Sequence, residues 1–288
     1  MAYPQYLVVL AVTAGIDLFF ATFSILHMLV LEQWTNYLYF TKKVLKRRSP
    51  VGSMTSTRRA LIDNFADLSL ALVAPMFALS RRLVPAVQRR GFYSGAIDYT
   101  FHPIDVALSV VGIYLCFDVW YYAVHRLLHE NPFLYRTIHK VHHEDVPVHV
   151  FITFKGKYIE NILAASPGLT LWVILTLRFA GHNFWALLLP ALTLIMEFNT
   201  AHSGFLDHPL LYAMSPLQYI VKTLPTARPI AQEHEVHHLR VKKNYAPVFS
   251  FLDRLAGTHV PADLSKFATA DVIETMHDDA KQGVKKAE

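Results

Sequence analysis

Nine histidines in this chain stand in spacings that suit a shared metal. His125 and His129 are four residues apart. His139, His142 and His143 form an H-x-x-H-H pattern, and His234, His237 and His238 repeat it about a hundred residues later. His202 stands between them in Ala-His-Ser-Gly-Phe. On a helix, residues at i, i+3 and i+4 share one face, so each cluster is expected to aim its imidazoles at one point. Imidazole is a common ligand for zinc, iron, copper and nickel. One metal takes about four to six donors, so nine candidates imply two metals or one with redundant ligands. Two is the expectation, with His149 and His208 as spare candidates for a further ligand.

Asp118, Tyr122, His125 and His129 follow the spacing i, i+4, i+7, i+11, a single stripe along one helix. That places Asp118 and Tyr122 on the ligand face as the candidate catalytic positions. A carboxylate at Asp118 is expected to take an imidazole N–H and fix its tautomer, the alternative being an ordinary polar residue near a helix end.

These residues carry a resemblance. Tyr121-Tyr122-Ala123-Val124-His125-Arg126-Leu127-Leu128-His129 is similar to the first histidine box of the fatty acid hydroxylase/sterol desaturase superfamily of membrane oxygenases. Leu134 to His143 resembles the second box, His202-Ser203-Gly204 an H-S-G segment of the sterol-acting members, and His234 to His238 the third box. Phe249 to Thr258 resembles the F-x-F-x-D-R-L-F-G-T signature that follows. The five motifs come in the family's order over roughly residues 105 to 260. Two positions depart from it. Lys157-Tyr158-Ile159-Glu160 lacks the histidine of the H-P-x-E that many relatives carry, and Glu233 replaces a histidine of the sterol-acting third box.

The resemblance implies two non-haem irons, dioxygen, and electrons from NAD(P)H through a reductase and a cytochrome b5-type donor. The chain has neither a Gly-rich dinucleotide fingerprint nor a C-x-x-C-H haem site, so the electrons are expected from a partner. Arg126, Arg136, Lys140, Arg240, Lys242 and Lys243 are candidates to steer an acidic donor surface, or equally to face lipid headgroups. The wording of the boxes favours a sterol substrate over a fatty-acyl, sphingoid or ether lipid. A non-catalytic metal protein, or a zinc hydrolase with Glu233 or Glu235 as base, are the readings of another class.

The elements that must position these groups are apolar. Of 288 residues, 53% are hydrophobic and 17% charged, which indicates an integral membrane protein. The formal charge of +5 suits a basic face near anionic lipid, and its scatter between apolar runs argues against nucleic acid. The single Cys116 excludes an intrachain disulfide.

The expected fold is an all-α integral membrane protein of about four to five crossings with a cytosolic helical cap. Apolar stretches lie at 6–31 (a retained anchor, with Asp17 turned to other helices), 61–79, 103–124, 162–179 and 184–198. Parity requires 61–79 to cross if the basic loop 42–59 and the boxes are both cytosolic. Gly181-His182-Asn183 allows only a tight turn, which returns His202 and the third box to the side of the first two. Asp253 and Arg254 are expected to be structural. Three regions result: an anchor region 1–104, a catalytic domain 105–260 and a tail 261–288. Lys285-Lys286-Ala287-Glu288 fits a dilysine signal for the endoplasmic reticulum.

Overall fold

The computed structural model describes residues 3–41, 97–145, 148–205 and 230–262. The stretch 61–79, the basic loop 42–59, His208 and the dilysine residues lie outside them. The described residues are helical, and their one β feature is an isolated bridge between Asp98 and Asn183. Five long helices carry the architecture: α1 (Tyr3–Phe40), α2 (Pro103–Glu130), α3 (Tyr158–Phe179), α4 (Phe184–Ala201) and α5 (Ile230–Arg240). A short α6 (Phe251–Leu255) follows.

Four helices are long and apolar enough to cross a bilayer, with candidate spans at Leu18–Leu38, Pro103–Glu130, Ile159–Phe179 and Phe184–Ala201. The chain is an all-α integral membrane protein. The helices run past their apolar cores into flanking residues. At ~1.5 Å per residue, the 22 residues of α3 reach about 33 Å and the 18 of α4 about 27 Å.

Helix α2 shows why the sequence folds this way. Its outer stripe, Ile104, Leu108, Val111, Leu115 and Val119, is exposed, as a lipid-facing row at helical spacing must be. Its inner stripe begins with Val110, Ile113, Tyr114 and Phe117, packed on Trp172 of α3, Leu194 of α4, and Val248 and Phe249. The same stripe then changes chemistry, becoming Asp118, His125 and His129, all buried. Proline at the first turn fits the N-terminus of α2, where its missing N–H costs nothing.

Polar contacts fix the bundle where lipid offers no partner. Ser109 donates to the Ala186 carbonyl at 2.5 Å, and Trp172 Nε1 donates to the Ser109 carbonyl at 3.1 Å. Asn199 of α4 lies 3.1 Å from His27 Nδ1 of α1. Between α3 and α4 the tight turn forms as expected. Gly181 takes φ 61°, and Asn183 Oδ1 caps α4 by accepting from Ala186 N at 2.9 Å.

This antiparallel order brings the end of α2, the start of α3 and the end of α4 to one end of the bundle. The last turns of α1 reach it too, with Met28 and Leu31 on Val150 and Phe151, and Leu38 on Phe205. Close approach of α3 to α2 rests on Gly168, where an added Cβ would lie 3.2 Å from both the Cys116 carbonyl and Trp120 Cβ. Gly168→Val should therefore lower the thermal midpoint in detergent by several degrees, since overpacking costs about 1–3 kcal/mol. Gly15→Ala, with nothing within 4 Å of the added carbon, should leave it unchanged.

Candidate metal centre

At that shared end the nine histidines meet, every one of them buried, in two groups. His125, His129, His139, His143 and His237 form one, and His142, His202, His234 and His238 the other. The boxes do not each aim at one point, which corrects the expectation from spacing. The second box gives its i, i+4 pair, His139 and His143, to the five-membered group and His142 to the other. The third box does the reverse, giving His234 and His238 to the four-membered group and His237 to the five-membered one. The i, i+4 pair shares a face while the i+3 residue leans to its other side, so a neighbour on each side divides the box.

The second box is also not an α-helix. A π-turn spans Tyr135–His139 and a 3₁₀ turn spans His142–Glu144. The π-turn is wider than an α-helix and the 3₁₀ turn tighter, so both re-aim side chains that a regular helix would place elsewhere, and π-turns recur at functional sites.

Within the groups the imidazoles face one another through Nε2. In the first, successive Nε2 atoms lie 3.2 Å apart (His129 and His125), 3.1 Å (His125 and His139), 3.0 Å (His139 and His143) and 3.2 Å (His143 and His237). In the second they lie 3.4 Å (His142 and His202), 2.8 Å (His202 and His234) and 3.2 Å (His234 and His238).

The other ring nitrogen shows that these are not ordinary hydrogen bonds. His125 Nδ1 donates to the Tyr245 carbonyl at 2.7 Å, His237 Nδ1 to the Lys243 carbonyl at 2.7 Å, and His142 Nδ1 to the Lys155 carbonyl at 3.0 Å. His202 Nδ1 donates to the Phe198 carbonyl at 2.9 Å, and His139 Nδ1 to Glu160 Oε1 at 2.7 Å. A carbonyl or carboxylate only accepts, so each of these five rings carries its proton on Nδ1. In the neutral ring Nε2 is then a bare lone pair. Burial first, and neighbouring imidazoles second, hold His139, His143, His234 and His238 well below the usual imidazole pKa. Burial likewise lowers His142 to about 4. Bare lone pairs about 3 Å apart repel, and a cation between them turns repulsion into ligation. A metal held at about 2.0–2.1 Å by each nitrogen spaces neighbouring donors by this distance. The residues fit two metal ions.

Glu160 is a site residue that the spacing argument missed. It belongs to the Lys157–Glu160 segment noted for its missing histidine, and the retained carboxylate orients His139 from the first turn of α3. Asp118 reaches the segment after the third box. Its Oδ1 accepts from Val248 N at 2.8 Å and Phe249 N at 3.0 Å. Asp253 holds the same segment by accepting from Tyr245 N and Ala246 N, both at 2.9 Å, which is the structural role expected of it. The segment in turn presents the Lys243 and Tyr245 carbonyls to His237 and His125. Its backbone is strained, with Val241 at φ 56° and Asn244 at φ 55°. Tyr122 turns away from the histidines, accepting from Arg126 at 3.0 Å, with Thr258 Oγ1 at 3.4 Å. His149 joins neither group, its ring lying beside Phe151.

His202 depends on the glycine two residues on. Gly204 has φ 72°, and a Cβ there would sit 2.6 Å from the Val148 carbonyl. Only glycine allows the chain to leave α4 so tightly.

Comparison with known proteins agrees with this geometry. The fatty acid hydroxylase family model matches residues 110–258, just over half of the chain. The chain belongs to the fatty acid hydroxylase family. Methylsterol monooxygenase 1 of Rattus norvegicus is 32% identical over 154 residues, 50% of this chain and 43% of the relative. A cholesterol 25-hydroxylase-like protein of Danio rerio is 32% identical over 54% of this chain and 57% of its own. The sphingolipid C4-hydroxylase SUR2 of Saccharomyces cerevisiae is 28% identical over 57% and 44%. The chain thus spans about half the length of the curated relatives it matches. No solved structure matches it.

Two outcomes follow for metal content, measured by elemental analysis of the purified protein. Glu160→Ala should weaken metal affinity by about 10- to 100-fold, the usual effect of losing a carboxylate behind a ligating histidine. His238→Ala should cost the four-membered group its ion before the five-membered one.

Proposed function

We propose that this chain is a membrane-bound, non-haem di-iron oxygenase that uses dioxygen and electrons derived from NAD(P)H to hydroxylate or desaturate a lipid, with a sterol as the favoured substrate. The observation that carries the reading is the pair of histidine-only groups at the end of an apolar four-helix bundle. Nitrogen-only sites with room for a further ligand suit iron that must meet dioxygen, whereas thiolate-rich sites suit iron–sulfur clusters or structural zinc. Iron at the two groups would supply the dioxygen-dependent oxidation of an unactivated C–H bond.

The protein's own residues do the positioning. At His125, His139, His142, His202 and His237 the acceptor on Nδ1 holds the imidazole in one tautomer and one orientation. The apolar faces of α2, α3 and α4 give a lipid a route from the bilayer to that end of the bundle. A sterol is favoured by two of the relatives named above, which are described as sterol enzymes, and the sphingolipid relative makes a sphingoid base the second choice.

Electrons are assigned to a cytochrome b5-type donor and its reductase. Arg136, Lys140, Arg240 and Lys242 are exposed beside the histidine boxes and offer a basic rim for such a donor. The histidine end is assigned to the cytosolic side of the endoplasmic reticulum membrane.

Product analysis tests the reading. Expressed in microsomes, the chain should convert a sterol to a species that gains oxygen or loses two hydrogens, and His142→Ala should abolish this. Turnover should stop without oxygen and fall steeply without the b-type cytochrome. Product formed in the absence of oxygen would replace the oxygenase with a hydrolase. Altered hydroxylated sphingoid or acyl lipids with constant sterols would move the substrate to the second choice.

A further inference from the structure

Beside the histidines lies a small cavity whose walls include His125 of the five-membered group and His234 of the four-membered group, together with Tyr121, Glu197, Phe198 and Ala201. Its volume, about 10 Å³, is close to what one water or one diatomic molecule needs. It is therefore too small for a lipid and borders both groups at once.

Glu197 is the one carboxyl among the described residues that line it. It sits in the last turns of α4, within a candidate membrane span, and is 1% exposed. A carboxyl in such a place is costly and, in membrane helices, marks a functional position by default. Residues 197, 198 and 201 share one face of α4, and that face is the cavity wall. The next residue, His202, belongs to the four-membered group, so the helix that carries a ligand also carries the carboxyl.

We infer that Glu197 is a positioning residue, which hydrogen-bonds and orients a small oxygen ligand, dioxygen or water, held in this cavity. The inference rests on the di-iron reading above. It assigns no bond-making step to Glu197. The carboxyl fixes where the ligand sits, and Tyr121, Phe198 and Ala201 keep the space small.

Nitric oxide, a diatomic probe for ferrous iron, tests this without turnover. The full chain would be purified in lipid nanodiscs, loaded with ferrous iron and titrated anaerobically by absorption and paramagnetic resonance. Glu197→Leu should bind nitric oxide about tenfold more weakly or worse, as expected for loss of one hydrogen bond to a polarised ligand, with unchanged iron content. Glu197→Gln, which keeps a hydrogen-bonding group of the same shape, should stay within about threefold of the parent. Ala201→Leu fills the cavity from the next turn of the same face and should likewise weaken probe binding about tenfold or more while both irons remain. It serves as the second test should Glu197→Leu not fold. Unchanged nitric oxide affinity in either leucine variant would overturn the inference. A parent protein that holds iron yet binds no nitric oxide would instead overturn the oxygenase reading itself.

Discussion

Repulsion among imidazole lone pairs is the constraint on which the rest of this structure depends. Five rings have their single proton committed to a carbonyl or carboxylate acceptor, which leaves Nε2 bare and turned towards its neighbours at about 3 Å. Burial shields those lone pairs from bulk water. Cations resolve the conflict, and the protein is built to keep the rings in place for them. The partners of Nδ1 come from four separate places: the 243–245 segment, Lys155, the last turns of α4 and the first turn of α3. Metal bound by these rings would be coupled to the assembly of the bundle end.

The division of the boxes extends that coupling. Because each H-x-x-H-H segment gives residues to both groups, neither group belongs to one segment alone. A displacement of the second box disturbs both groups, and so does a displacement of the third. Ions held by the two groups would tie the helices and loops that carry the boxes into a single unit. The arrangement also explains why strain is tolerated at Val241 and Asn244, close to the Lys243 and Tyr245 carbonyls that accept from His237 and His125. Asp118 and Asp253 hold that segment from opposite sides, and Asn244 is itself tied down by a hydrogen bond to the Glu233 carbonyl at 3.2 Å.

Much of this was legible in the sequence, and the reasons differ by residue. The helices of the bundle follow from apolar length, and the return of His202 to the other boxes follows from a three-residue turn that permits nothing else. The nine histidines stand out because their spacing is local. What spacing could not show is which neighbour each ring would meet. The split of each box, the π-turn at Tyr135–His139 and the role of Glu160 all depend on contacts between distant segments. Asp118 shows the limit clearly. Its position on the ligand stripe of α2 is real, yet a loop 130 residues further on reaches its carboxylate and carries its influence to His125. Tyr122 lies on the same stripe by spacing, but its hydroxyl lies against Arg126 and Thr258 because side-chain direction is set by what packs against it.

X-ray absorption at the metal edge of the purified, iron-loaded protein tests the central claim most directly. The account predicts a first shell of nitrogen and oxygen at about 2.0–2.2 Å with the outer-shell scattering of several imidazoles per metal, and no sulfur. His142→Ala should reduce the imidazole contribution without introducing a new ligand type. A sulfur shell near 2.3 Å, or an oxygen-only shell without imidazole scattering, would contradict it.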